Sequence, residues 1–270
     1  MRRLFLHVGS PKCGSTYLQR VLLNNQDKLL KHRVAYPHDG GVHPGNASNL
    51  ETFTPEKIEH LFAEADTIFL SHEDLFARSA LAKSLATACL EKGVQVQVIV
   101  FLRPFSEFIF GDYSQFLKQY FETFLRNRTA FDGRNFEQFA VDRARNLNIV
   151  GYLKGWRSMF PESPITLGKQ KEIRNVIEPL INVPHLSWDV RREHANPSLR
   201  MFDCDCIVKA INDKNIPKAD VTNLFKQAFH NTQEHDLGKS TSRISWIEAL
   251  FAHQNEKLLL EFGFDNRRLI

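Results

Sequence analysis

The chain has 270 residues, of which 43% are hydrophobic, so it is long enough to fold around a sizeable core. Lys and Arg exceed Asp and Glu by 35 to 31, and this small surplus excludes the dense basic patch of most nucleic-acid-binding proteins while suiting an anionic ligand. No stretch approaches the ~18 consecutive apolar residues of a membrane span, and the apolar N-terminal run is too short for a signal peptide. We therefore expect a cytoplasmic protein.

The first predicted element is a buried strand, residues 2–9, which runs directly into a loop that contains glycine. Gly9 and Gly14 have the spacing of the phosphate-binding pattern G-x-x-x-x-G-K-[ST], but Ser15 stands where that pattern has lysine. The lysine is instead Lys12, inside the loop. Apolar residues at helical spacing follow over residues 16–32. A loop between a strand and a helix presents backbone N–H groups to an anion, so the sequence predicts an anion site with Lys12, Ser15 and Thr16 as side-chain donors.

Strands and helices alternate along the rest of the chain, which favours a mostly parallel sheet. Residues 35–49, rich in Gly, Pro, Asn and His, predict a long exposed loop. We expect one α/β domain over residues 1–270, a three-layer sandwich like that of P-loop NTPases, with a helical C-terminal part. The predicted strands are 67–70, 94–102 and 165–167, and the predicted helices are 55–65, 77–92, 105–126, 136–160, 197–212, 218–230 and 245–262.

Ligands of parallel sheets bind at the carboxyl ends of the strands. Here those ends carry the loop at residues 9–16, the stretch Ser71-His72-Glu73-Asp74, and Arg103. An arginine in such a position suits a phosphate group better than a metal ion. The four cysteines include no C-x-x-C pair, and the lone C-x-C is a poor fit to zinc spacings, so we expect free thiols.

Two stretches carry a resemblance to a known family. GSPKCGSTYLQ, residues 9–19, resembles the 5′-phosphosulfate loop of sulfotransferases that use 3′-phosphoadenosine-5′-phosphosulfate (PAPS), in which the loop lysine stands before G-[ST]-T. VIVFLRPFSEFIFGDYSQFLK, residues 98–118, resembles the family motif that binds the 3′-phosphate of the donor. The later stretches REHANPSL and HQNEKLLLEFGFD resemble bacterial members, so the resemblance runs along most of the chain.

The resemblance implies an enzyme that moves a sulfuryl group from PAPS to a hydroxyl or amine of a glycan or small-molecule acceptor, by in-line displacement and with no metal. Sulfuryl carries less negative charge than a terminal phosphoryl group, so a lysine and a ring of N–H donors suffice for the leaving group. Lys12 is then the catalytic clamp. The donor-binding residues implied are Ser10, Pro11, Lys12, Cys13, Gly14, Ser15, Thr16, Arg103, Gly111, Lys239 and Ser240.

The sequence departs from the family at one of these positions. Gly111 stands where the second motif has a serine, eight residues after Arg103. Ser114 lies about one helical turn further on, where it offers a partial substitute. We expect a weaker 3′-phosphate site. In the polar loop at residues 237–246, Lys239, Ser240 and Arg243 are candidates to close over that phosphate; the alternative is a solvated helix cap at Ser242 or Ser245.

Sulfuryl transfer to an alcohol needs a base near the attacking hydroxyl. His72 stands where the alcohol-sulfating branch of the family has its histidine, and Glu73 matches a Ser-x-Glu of bacterial relatives, which favours Glu73. Since neighbouring residues on a strand end point to opposite sides, we expect one of the two to face the substrate. His43, in the loop at 35–49, is a third candidate that would line the acceptor pocket. Tyr113, within an aromatic run that is mostly core, is a candidate acceptor contact.

Two other functions stay open from the residues alone. One is a Mg-ATP-dependent small-molecule kinase with an altered loop, which needs an acidic metal ligand and for which Glu73 and Asp74 are the apt pair. The displaced lysine argues against it. The other is a nucleotide-binding relative without turnover, for which Gly111 is the one hint. The acceptor and the oligomeric state are beyond the sequence.

Overall fold

The computed structural model describes residues 1–191 and 197–268. Contacts among its residues divide the chain into two compact units. The first comprises Met1–Arg103 and Asn148–Ala195, and the second comprises Pro104–Leu147 and Asn196–Ile270. Across the described residues, no helix is both long and apolar enough to span a bilayer.

The first unit is built on five parallel strands in the order β2-β3-β1-β4-β5. The mostly parallel α/β fold predicted from the alternating pattern is therefore confirmed. One strand, β2, was missed because it has only two residues and no periodicity to detect. The strands are β1 Arg3–His7, β2 Val34–Ala35, β3 Thr67–Ser71, β4 Gln95–Leu102 and β5 Ile165–Lys169.

Helices of the first unit pack on this sheet, and the second unit is helical. Most agree in position with the predictions, including the long one after β4. The helices are α1 Ser15–Asn24, α2 Gln26–Lys31, α3 Pro55–Leu61, α4 Lys83–Glu91, α5 Phe105–Asn127, α6 Phe136–Asn146, α7 Ile149–Met159, α8 Ile173–Ile181, α9 Met201–Asn212, α10 Lys218–His230, α11 Thr241–Leu250 and α12 Ala252–Phe262.

Three predicted helices are each two helices. Asn25 ends α1 because its amide donates to the carbonyls of Val21 and Ser187. Asn148 starts α7 because its side chain accepts from Gly151 N. Phe251 separates α11 from α12. Side-chain hydrogen bonds mark the first two breaks, whereas Phe251 provides no side-chain cap. The predicted helices concerned are 16–32, 136–160 and 245–262.

The central strands are buried on both faces, as expected of a parallel sheet. Side chains alternate between the faces. On one face, Phe5, Phe69 and Phe101 pack in a cluster with α1 and α8. The intervening residues Leu4 and Leu70 point to the other face and are at most 1% exposed. The core thereby fixes the strand ends that carry the polar residues.

Candidate functional site

The loop between β1 and α1, residues 9–16, has an unusual backbone. The φ angles are +89° at Gly9, +62° at Lys12 and +87° at Gly14. Left-handed residues interspersed in a turn direct successive N–H groups into one concavity, which binds anions. Gly14 is also the N-cap of α1 and provides no side-chain cap, so an anion placed there meets helix N–H groups and the positive end of the helix dipole.

The side chains of this loop divide into a buried group and a more exposed group. Cys13 and Ser15 are buried, whereas Pro11, Lys12 and Thr16 are more exposed. Cys13 is 1% exposed and packs in the core, while its N–H closes the turn on Ser10 O at 3.3 Å. Its thiol is therefore a packing group. Ser15 is 6% exposed, and within the described ranges its Oγ has no hydrogen-bond partner. Lys12 and Thr16 are half-buried, and Pro11 is exposed. A buried hydroxyl without a partner is rare and suits a ligand that would accept its proton.

The loop lies directly against the end of β3. A Cβ built on Gly9 would come within 2.6 Å of Glu73 O and 2.9 Å of Glu73 Cα. Only glycine allows this approach. On the other side of the loop, a Cβ on Gly14 would come within 2.6 Å of Ile173 Cδ1. The two glycines thus set the loop between the Glu73 backbone and α8.

Gly9→Ala is expected to destabilise the first unit by about 2 kcal/mol or more, because left-handed strain adds to a backbone clash. Gly93→Ala is the matched control, since Gly93 has φ +60° and nothing within 4 Å of its added Cβ. In that variant the free energy of unfolding should fall by only about 1 kcal/mol. Urea unfolding of both variants measures the difference, and equal losses would contradict the close packing of Gly9 on Glu73.

The Glu73 carboxylate is held by two side chains. Gln19 Nε2 donates to Glu73 Oε2 at 3.0 Å, and His43 Nε2 lies 3.2 Å from Glu73 Oε1. His43 Nδ1 accepts from Gly45 N at 3.0 Å, which leaves the proton of the neutral ring on Nε2. His43 therefore donates to Glu73. The structure brings together these two residues, which the sequence proposed separately as base and acceptor contact.

His72 completes the cluster. Its ring stacks on His43 with centroids 4.8 Å apart, and its Nδ1 accepts from Asp74 N at 3.3 Å. His72 thus caps the short 3-10 helix Glu73–Leu75. Burial lowers the pKa of His72, although the neighbouring Glu73 and Asp74 carboxylates oppose the shift. The ring is neutral and half-buried, with one nitrogen committed to the cap.

The electrostatics leave Glu73 ionised. Burial alone would raise its pKa, but hydrogen bonds from Gln19 and the backbone, together with His43 and His72, outweigh burial and lower the pKa below 4.5. The side chain of Glu73 keeps 27% of its surface exposed. The result is an accessible carboxylate beside the loop, able to accept a proton from a bound hydroxyl.

The loop that follows β2 is anchored rather than merely exposed. Asn46 pairs with the end of β3: its amide donates to Phe69 O at 3.0 Å and its Oδ1 accepts from Ser71 N at 2.7 Å. Tyr36 OH donates to Pro44 O. This pairing holds His43, the predicted acceptor contact, in place on Glu73.

Arg103 follows β4 at the same carboxyl edge of the sheet. β4 runs three residues beyond Ile99, the partner of His7 at the end of β1. Arg103 is half-buried there. A guanidinium at this edge of the first unit is suited to a phosphate group.

Gly111 and Tyr113 lie on α5, in the second unit. Tyr113 is 1% exposed and stacks on Phe131 at 4.3 Å between centroids. Its burial favours packing over the acceptor contact that the sequence suggested. Gly111 is buried in the same helix, and the nearby Ser114 hydroxyl accepts from Leu199 N at 2.7 Å. Ser114 is thereby committed to joining α5 to the segment before α9.

Ser240 is the N-cap of α11, since its Oγ accepts from Arg243 N at 3.2 Å. The helix therefore starts earlier than the sequence indicated, and the cap is neither Ser242 nor Ser245. A serine three residues before an N–H group is the usual capping arrangement. Ser240 thus has a local structural role, whatever else it binds.

Lys239 and Arg243 both have acidic partners within the second unit. Lys239 Nζ lies 3.5 Å from Asp236 Oδ2, and Arg243 makes two hydrogen bonds with Asp205, the shorter at 2.7 Å. Lys239 is exposed, so its pair is weak. It remains available to an anion, whereas Arg243 is committed to the fold.

Sequence reasoning missed Gln19 and His7, and it named Ser71 only as part of a strand end; hydrogen bonds connect all three residues to Glu73. Gln19 is fully buried although it is polar and lies in the first helix after the loop. The sequence did contain one signal for Gln19: it is a polar residue on the apolar face of α1, next to Leu18 and Leu22. Such a residue needs a buried partner, but the sequence does not name the partner.

Of the two later stretches on which the sequence-based expectation also rested, REHANPSL includes residues 192–196, which lie outside the described residues, and HQNEKLLLEFGFD forms most of α12 and its end. Within residues 1–191 and 197–268, no group of three or more His, Cys, Asp and Glu side chains is placed to hold a metal ion.

No protein-family model matches the chain, and no curated protein is significantly similar to it.

Proposed function

We propose that the chain is a PAPS-dependent sulfotransferase that transfers a sulfuryl group to a hydroxyl or amine of a glycan or small-molecule acceptor. One observation carries the proposal: a left-handed loop with an internal lysine lies directly against the backbone of an accessible glutamate. A candidate anion site and a candidate proton acceptor are thereby adjacent at one sheet edge. The proposal includes a P-loop-like three-layer fold, membership of the bacterial branch of the family and a cytoplasmic location.

The loop suits the 5′-phosphosulfate end of the donor. When bound, PAPS supplies an activated sulfuryl group on a phosphate leaving group. The N–H groups of the loop and of the first turn of α1 would bind the phosphate oxygens. The buried Ser15 hydroxyl, which lacks a partner among the described residues, supports this assignment. Arg103, at the same edge of the sheet, is the candidate for the 3′-phosphate.

Lys12 would stabilise charge as the bond to the leaving oxygen breaks. Lys12 lies within the loop and not directly after Gly14, so its ammonium group would serve the bridging side of the donor rather than a terminal phosphoryl group. Fixed positive charge at the place where negative charge develops is the most effective form of electrostatic catalysis. This position distinguishes the loop from those that bind ATP.

Glu73 would take the proton from the acceptor hydroxyl. Its pKa lies below its ordinary value, so it is ionised at neutral pH. His43 donates to it through Nε2 and cannot accept a proton there. His72 has Nδ1 committed to Asp74 N. Among the three residues, Glu73 is therefore best suited as the base, and His43 as its support.

A kinase would require the same carboxylate to hold Mg²⁺. Glu73 instead accepts hydrogen bonds at both oxygens, from Gln19 and His43. This arrangement is that of a base held in position. We therefore keep the kinase as the competing outcome of the test.

The test is transfer of radiolabelled sulfuryl from PAPS to a panel of sugars, phenols and amines in the presence of EDTA, beside transfer of labelled phosphoryl from Mg-ATP to the same panel. We expect labelled product from PAPS alone. Phosphoryl transfer without sulfuryl transfer would overturn the proposal in favour of a kinase.

A further inference from the structure

A continuous chain of buried polar side chains leads from the first strand to Glu73. His7 Nδ1 and Ser71 Oγ are 2.8 Å apart, and Gln19 Nε2 lies 3.1 Å from Ser71 Oγ and 3.0 Å from Glu73 Oε2. His7, Ser71 and Gln19 are each at most 1% exposed. Three elements, β1, β3 and α1, thus contribute one side chain each to a network that reaches the surface at Glu73.

The direction of each hydrogen bond follows from the carboxylate. Ionised Glu73 only accepts, so the Gln19 amide must turn its NH₂ group toward it. The same NH₂ group donates its second hydrogen to Ser71 Oγ. The Ser71 hydroxyl then has His7 Nδ1 as its acceptor, and the neutral His7 ring carries its proton on Nε2.

His7 is suited to this end of the network because it stays neutral. Its side chain is enclosed by the sheet and lies against the Phe101 ring, with centroids 5.7 Å apart. Burial lowers the pKa of His7 to about 4. His7 Nε2 has no hydrogen-bond partner among the described residues. The neutral ring has a lone pair on Nδ1, so this atom accepts from the Ser71 hydroxyl at neutral pH.

We propose that Gln19 is a positioning residue for Glu73, and that Ser71 and His7 orient the Gln19 amide so that it donates to the carboxylate. The inference rests on the proposed function, in which Glu73 is the base. A buried network in which every orientation depends on the next is more restrictive than a single hydrogen bond. It holds the carboxylate through one hydrogen bond to Oε2, and each carboxylate oxygen keeps a second lone pair that a substrate hydroxyl can use.

The charged and titratable groups around Glu73 are few. They come from β1, from α1, from the loop after β2 and from the chain next to Glu73 itself. Removing the Gln19 donor leaves these groups in place and takes away a hydrogen bond that favours the ionised form, so the pKa of Glu73 must rise. The groups are His7, Arg20, Tyr36, His43, His72 and Asp74.

The experiment is an NMR titration of isotope-labelled glutamate carboxyl groups in the ligand-free chain. Gln19→Met keeps the length of the side chain and removes both donors. We expect the midpoint of Glu73 to rise by about one pH unit. Ser71→Ala should also raise the midpoint of Glu73, but by a smaller amount. Gln26→Met is the matched control, because it removes a glutamine hydrogen bond to Tyr36 O in the same unit and should leave the midpoint of Glu73 unchanged.

An unchanged midpoint in folded Gln19→Met would overturn the inference, and so would an equal rise in Gln26→Met. If Gln19→Met fails to fold, Ser71→Ala decides the question by the same titration. The midpoint is read without donor or acceptor, so its outcome does not depend on the proposed function. A rise in the midpoint together with no sulfuryl transfer by the wild type would reject the function and retain the positioning role.

Discussion

Lys12→Met is expected to slow sulfuryl transfer by about 10²- to 10³-fold, the usual loss when one preorganised electrostatic donor is removed. Lys12 has φ +62° within the loop, and methionine retains both a Cβ and an unbranched stem, so the backbone strain is the same in both proteins. Binding of 3′-phosphoadenosine 5′-phosphate should weaken by roughly 10-fold or more, since a charge-assisted hydrogen bond is lost.

The control for this change is Lys31→Met, which removes an exposed lysine at the end of α2. Both proteins have the same net charge, so any general effect on an anionic ligand is equal. Transfer rates and calorimetric affinities within about two-fold of each other in the two variants would contradict the role of Lys12, whatever their common difference from the wild type.

Glu73→Gln is expected to lower kcat by about 10²- to 10⁴-fold, the range for loss of a general base. Affinity for 3′-phosphoadenosine 5′-phosphate should be preserved, because the amide has the same shape and still offers an oxygen to Gln19 or His43. His72→Gln should have a much smaller effect on kcat, since one nitrogen of His72 caps the turn at Asp74. Single-turnover rates at saturating donor separate the two variants.

The pH dependence gives a second test of the base. The pKa of Glu73 is lowered, so the carboxylate stays ionised as the pH falls, and the acid limb of kcat/KM should lie below 4.5. Gln19→Met should move this limb upward. An acid limb near the ordinary histidine value of about 6.5 would instead identify a histidine as the base and contradict the assignment of Glu73.

The parts of the fold that the sequence predicts well are those with strong periodicity. The buried strand before Gly9 and the long aromatic helix after Arg103 are examples. The short strand β2 and the helix breaks at Asn25 and Asn148 were not predicted, because they depend on single side-chain caps and on tertiary pairing. Local pattern does not carry that information.

The candidate site, too, could be predicted from the sequence only in part. The strand-end rule predicts that the loop containing Lys12 and the stretch with Glu73 lie on one edge of the sheet. It does not predict that Gln19, which is 54 residues from Glu73 in sequence, donates to the carboxylate. Nor does it predict that Tyr113 is buried among other rings, since an aromatic on a helix has the same pattern in a core and in a pocket.

The measurement that tests the central claim most directly is calorimetric titration of the wild type with 3′-phosphoadenosine 5′-phosphate in EDTA, beside a titration with Mg-ATP. It requires no knowledge of the acceptor. The account predicts micromolar binding of 3′-phosphoadenosine 5′-phosphate without metal, weakened in Lys12→Met and unchanged in Lys31→Met. Binding of Mg-ATP alone, or of neither nucleotide, would contradict it.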